Sequence, residues 1–147
     1  VFDHNSYKSP DAINSLKWNR KSEFKGVVNY YKGLIALRKA HNAFRMYENA
    51  QVAENLQFLN NLPKHVVGFL LKGDETLEEI VVFFNPNNYP VQLHAFGKYG
   101  VYADGNYAGA EPCRTVENDY EVAPISAIVL GRVRESKPEN EEETLNA

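Results

Sequence analysis

The chain has 147 residues, 16 Lys+Arg against 19 Asp+Glu, and a formal net charge of −3. With 44% hydrophobic and 12% aromatic residues it has material for a real core in one domain, or in one domain plus a fragment. The charge balance argues against a nucleic-acid partner, no apolar run approaches the ~18 residues of a membrane span, and no basic-then-apolar leader opens the chain. The acidity is local. Residues 135–147 hold five glutamates against Lys137, net −4, which leaves +1 for residues 1–134.

The first 22 residues are polar and without a clear period, which predicts a loop with one or two helical turns. Ser9-Pro10-Asp11 is suited to start such a turn. From Ser22, a good N-cap type, to Ala40 the apolar residues Phe24, Val27, Val28, Tyr31, Leu34 and Ile35 recur at steps of three and four, with Leu37 widening the stripe. This predicts one long amphipathic helix. Gly33 inside it costs about 1 kcal/mol against alanine, which points to a close packing contact. Lys32, Arg38, Lys39 and His41 gather toward the C-terminal end, where cations suit the helix dipole.

After Asn42 short apolar runs take over: Leu56–Leu59, His65–Lys72, Glu79–Phe84, Val91–Phe96, Tyr99–Ala103, Tyr120–Ala123 and Ser126–Leu130. Asn85-Pro86-Asn87-Asn88 and Asp104-Gly105 supply turns between them. Seven or eight such strands with regular turn signals predict a mainly β fold, an antiparallel sandwich of Greek-key type. From Glu135 the chain is charged and nearly devoid of apolar residues, and is expected to be disordered. The expected organisation is a terminal loop and helix over 1–42, a β-sandwich over 43–134 and an acidic tail over 135–147. A single helix with so wide an apolar face needs a partner surface, either the sandwich or one lying elsewhere.

Few residues suggest chemistry. The acids Asp3, Asp11, Glu23, Asp104, Glu111, Glu117, Asp119 and Glu121 are scattered beside turns, where carboxylates usually cap backbone or face water. The histidines His4, His41, His65 and His94 show no metal-ligand spacing, and neither a phosphate loop nor a nucleophile elbow occurs. No metal and no cofactor is expected. His41 is expected to cap the helix, His65 and His94 to lie on the surface, and His4, beside Asp3 in the polar loop, is the histidine best placed for function. The lone cysteine, Cys113, excludes an internal disulfide and reads as a small buried or half-buried residue. The unusual constellation is Asn5, Ser6, Tyr7, Asp11, Asn14 and Trp18, which combines planar hydrogen-bonding groups with aromatic faces as sugar recognition does. The same residues equally suit a loop that satisfies its own backbone.

The run Asp3-His4-Asn5-Ser6-Tyr7-Lys8-Ser9-Pro10-Asp11-Ala12-Ile13-Asn14-Ser15-Leu16-Lys17-Trp18 resembles the segment that follows the eighth barrel strand in type I pullulanases, the α-1,6-debranching members of the α-amylase family, glycoside hydrolase family 13. Tyr30 through His41 with Ala43-Phe44 is similar to that family's eighth barrel helix, with Asn42 where proline is usual. His65–Phe69, Ile80–Pro86 and Ala123–Leu130 are matched in kind, the last resembling the closing strand of the family's C-terminal sandwich. The resemblance covers about residues 1–131. It implies a parent that hydrolyses α-1,6 branches of pullulan, glycogen or starch fragments with retention. The nucleophilic Asp, acid/base Glu and stabilising Asp would all lie upstream of Val1, so no catalytic residue is carried onto this chain, and Asp3 and Asp11 take none of those roles.

The resemblance further implies that Asn5, Tyr7, Asp11, Asn14 and Trp18 shape or line the glucan cleft, and that the sandwich stabilises the barrel. The implied partners are the catalytic barrel and an α-glucan, with self-association through the helix face when the barrel is absent. The parent is expected outside the cell or on the bacterial surface, the alternative being the cytoplasm. The alternative function is an independent glucan-binding sandwich, which a coplanar set of exposed aromatics would favour. A third reading is an interaction domain with the tail as its arm.

Overall fold

The computed structural model describes residue 4 and residues 6–134, leaving the side chains of residues 95 and 96 aside. The acidic tail and Asn5 lie outside the described residues. A short 3-10 turn at Ser6–Lys8 is followed by helices α1 (Asp11–Asn14), α2 (Arg20–Glu23) and α3 (Lys25–Ala40), a second 3-10 turn at Asn42–Arg45 and helix α4 (Asn49–Asn55). The strands are β1 (Leu56–Phe58), β2 (Val67–Lys72), β3 (Leu77–Asn85), β4 (Val91–Ala103), β5 (Arg114–Val122) and β6 (Ser126–Val133). They form one sheet of six strands in the order β1-β2-β3-β6-β4-β5, and every pairing is antiparallel.

The mainly antiparallel β expectation holds, and the strand count reflects one merger. Val91–Phe96 and Tyr99–Ala103, read as two strands, are the single long strand β4. Its register against β5 shifts between Ala95 and Lys98, where Gly97 takes a φ of 101°. Such an irregularity re-aims a strand without ending it. It lets the sheet fold over on itself: Phe83 of β3 and Tyr120 of β5 have ring centroids 6.0 Å apart although β6 and β4 separate their strands.

Both faces of the sheet are therefore covered. Along β3, Val81 and Phe83 point into a core with Val91, Leu93, Val101, Val122, Ile128 and Leu130. Ile80 and Val82 point the other way, into a second core with Leu71, Leu77, Tyr102, Leu37 and Ala43. A strand buried on both sides reads as a continuous apolar run rather than an alternation, which is why Ile80–Phe83 does.

Helix α3 lies over the second core. Gly33 is the close contact: a Cβ built there would overlap the carbonyl oxygen of Ala108 and come 3.1 Å from its Cβ. One turn earlier the Tyr30 hydroxyl donates to the Asp104 carbonyl at 2.8 Å, and one turn later Leu37 is buried. The helix starts later than expected. Ser22 falls inside α2, and the position before α3 is Phe24, whose φ of −107° and ψ of 42° interrupt the helix without a side-chain cap. Val28 still donates to the Phe24 carbonyl at 3.2 Å, so the periodicity runs through the break and disguises it in the sequence. In α1, Pro10 rather than Ser9 holds the cap position.

Candidate functional site

The amino-terminal residues singled out for sugar recognition sit in the open. The Tyr7 side chain is 89% exposed and Trp18 is 73% exposed, and Asp11 is exposed in the only turn of α1. Trp18 lines a cavity of 520 Å³ with Ile13, Leu16 and Lys21. Tyr7, Asp11 and Asn14 do not line that cavity. Asn14 acts locally. Its Nδ2 donates to the Ser6 carbonyl and to the Ser9 carbonyl at 3.1 Å, folding the loop back on itself. His4 is exposed.

Further along, the turn acids serve the backbone. Asp104 Oδ1 accepts from the Asn106 and Tyr107 N–H groups at 2.9 and 3.0 Å, and its Oδ2 accepts from Arg114 at 3.1 Å. Burial alone would raise its pKa; these donors outweigh burial and lower it. Asp119 meets the exposed His94 at 2.7 Å, and Glu121 accepts from Gln92 at 2.9 Å. His65 is exposed, as expected. Cys113 is exposed rather than buried: it sits on the loop entering β5, where its backbone N–H donates to the Val101 carbonyl at 2.9 Å. Among the described residues no cluster of three or more His, Cys, Asp or Glu could hold a metal ion, and no helix is long and apolar enough to cross a membrane.

Two polar centres are not apparent from the sequence. His41 does cap α3, its N–H donating to the Leu37 carbonyl, but its ring is buried and its Nδ1 lies 2.9 Å from Asp74 Oδ2 in the β2–β3 turn. The His41 ring packs edge-on against Tyr102 at 5.6 Å, and its buried Nε2 has no hydrogen-bond partner among the described residues. Burial pushes the Asp74 pKa up. The Leu77 and Thr76 N–H groups, the Thr76 hydroxyl and His41 outweigh it and bring it down to about 2. The centre thus ties the end of α3 to the sheet. The other is Asn85, 1% exposed, whose Nδ2 donates to the carbonyls of Tyr89, Val122 and Ala123 and whose Oδ1 accepts from the N–H and Nδ2 of Asn87. Both resemble ordinary turn residues in sequence, and the partners that tie them across the fold, Asp74 for His41 and Val122 and Ala123 for Asn85, stand more than thirty positions away.

The most conspicuous surface is apolar. Phe24, Val27, Tyr31 and Ile35 run down the outer side of α3 and are each at least half exposed. On the sheet, Phe58 and Phe84 flank Phe69 and are also exposed, with Phe58 and Phe69 meeting at 73° and Phe69 and Phe84 at 35°. These rings are not coplanar, so they do not form the flat platform on which a sugar face stacks.

No family model matches the chain. It is 41% identical over 102 residues to the pullulanase of Bacillus subtilis strain 168, covering 60% of this chain and 14% of that protein. The solved structure of the pullulanase from Bacillus acidopullulyticus superposes with a TM-score of 0.81 at 34% identity, over 88% of this chain and 16% of that one. The chain is related to the type I pullulanases. Pullulanase A of Streptococcus pneumoniae adds 33% identity over 64 residues, 40% of this chain and 5% of that protein. The chain therefore spans a small part of each pullulanase it matches, and the part it shares is their β-rich C-terminal region.

Proposed function

We propose that the chain is the non-catalytic C-terminal part of a pullulanase-like enzyme that cleaves α-1,6 branches of a glucan. The observation that carries this reading is the two-sided helix α3. Tyr30, Gly33, Leu34 and Leu37 serve the β-domain, while Phe24, Val27, Tyr31 and Ile35 are apolar and open. A soluble chain rarely leaves such a stripe uncovered unless another surface closes it. The catalytic barrel of the parent is that surface, and residues 1–42 are its last piece, with 43–134 the bracing sandwich and 135–147 an acidic tail. Asn5, Tyr7, Asp11, Asn14 and Trp18 border the glucan cleft, with the open faces of Tyr7 and Trp18 available to sugar rings. The parent enzyme acts outside the cell or on its surface.

The isolated chain should release no reducing ends from pullulan, because the retaining mechanism needs paired carboxylates facing each other across a cleft. Turnover by the purified chain that follows the protein through every chromatographic step would overturn the reading. Recovery of the parent only from cytosolic fractions would overturn its placement.

A further inference from the structure

A cavity of 990 Å³ opens beside the end of α3, and it shares no lining residue with the groove at Trp18. Its walls come from stretches distant in sequence: the 3-10 turn with Tyr47, helix α4 with Gln51 and Asn55, the β2–β3 turn with Asp74 and Glu75, and Arg134 beyond β6. Hydrogen bonds hold these walls in place. His41 fastens Asp74, Arg134 donates through Nε and Nη2 to the Asp74 carbonyl at 3.2 and 2.9 Å, Arg45 donates to Asn42, and Lys72 reaches Glu54 at 3.4 Å.

Within that frame the Tyr47 ring is 84% exposed, and the Tyr47 hydroxyl, the Gln51 amide and the Glu75 carboxylate are engaged in no hydrogen bond among the described residues. The charges of the lining oppose one another, with Arg45, Lys72 and Arg134 against Asp74 and Glu75. Such a lining does not select a phosphate or a carboxylate. A flat amphipathic ring and planar amides beside charges of both signs suit a neutral polyol whose ring face stacks and whose hydroxyls donate and accept.

We propose that this cavity is an accessory α-glucan subsite, with Tyr47 as the stacking surface and Gln51 and Glu75 as the groups that meet sugar hydroxyls. The choice of an α-glucan rests on the debranching reading above. The site would hold a glucan chain on the β-domain while the cleft works on a branch.

The test is an NMR titration of the full chain with maltohexaose, with cellohexaose alongside. Saturable shifts confined to residues 42–55 and 72–75 are expected for maltohexaose. Tyr47→Ala should weaken binding at least about tenfold, and Tyr89→Ala, an exposed tyrosine outside the cavity, should leave it unchanged. Thermal melting establishes that both variants fold. No saturable binding, or binding that Tyr47→Ala leaves intact, overturns the subsite and leaves the debranching reading to the pullulan assay. Binding of cellohexaose in place of maltohexaose, lost in Tyr47→Ala, overturns the α-glucan assignment and counts against the debranching reading itself.

Discussion

Gly33→Ala isolates the contact that seats the helix on the sheet. In a free helix this substitution is stabilising by about 1 kcal/mol, because glycine has the larger backbone entropy to lose. Here the added Cβ would overlap the Ala108 carbonyl oxygen and stand 2.5 Å from the carbonyl carbon, and backbone cannot swing aside as a flexible side chain does. The helix must lift instead. Lifting stretches the 2.8 Å bond from Tyr30 to the Asp104 carbonyl, worth about 1 kcal/mol. It also loosens the packing of buried Leu37, and overpacking of this kind costs roughly 1–3 kcal/mol. The net expectation is a loss of about 2 kcal/mol, or a melting temperature lower by roughly 4–8 °C for a chain of this size. Gly26→Ala is the internal control, since nothing lies within 4 Å of its added Cβ and the same helix should gain from it. Thermal unfolding followed by circular dichroism reads both. A Gly33→Ala protein that melts as high as the Gly26→Ala protein would refute the seating of α3 on the β4–β5 connection.

Asp74 carries a pH signature. Its pKa is held at about 2 against an ordinary 3.8, so its contribution is fully present above pH 4 and fades as the pH falls toward 2. Asp74→Asn should cost about 2 kcal/mol at pH 6 in urea unfolding, and the difference from wild type should shrink between pH 4 and 2; a constant difference would contradict it. Asn85→Ala should destabilise by about 3 kcal/mol, because it leaves three carbonyls and the Asn87 donors in the interior without their partner. A loss under about 0.5 kcal/mol in the same assay, the level of an ordinary surface change, would rule out the buried hub. The isolated chain should associate as its concentration rises, and Tyr31→Lys with Ile35→Lys should return it to a monomer in sedimentation; a wild-type chain that stays monomeric throughout would contradict an adhesive helix face.

Periodic features were legible in the sequence, and features made by chain crossing were not. The amphipathic stripe located α3, Gly33 announced its close contact, and the apolar runs marked the strands. The start of α3 was misplaced because hydrogen bonding continues across Phe24. Helix α4 was invisible, since the seven residues of Asn49–Asn55 give too few turns for a period to show. His41 and Asn85 carried the commonplace signatures of a helix end and a turn. What makes them structural centres is Asp74, Val122 and Ala123, which only the folded sheet brings near. Of the amino-terminal residues, Asn14 donates to the carbonyls of its own loop and Trp18 lines a cavity with Ile13, Leu16 and Lys21, neither of which a run without a clear period could show.

Closure of the outer face of α3 by a catalytic barrel can be tested directly. The matching segment of the Bacillus subtilis pullulanase is replaced with this chain, and reducing-end release from pullulan is measured. The chimaera should hydrolyse pullulan, and the same chimaera carrying Tyr31→Lys and Ile35→Lys should lose both activity and thermal stability. An inactive chimaera that folds, or full activity with both lysines in place, would contradict the claim that this helix is the last piece of a catalytic barrel.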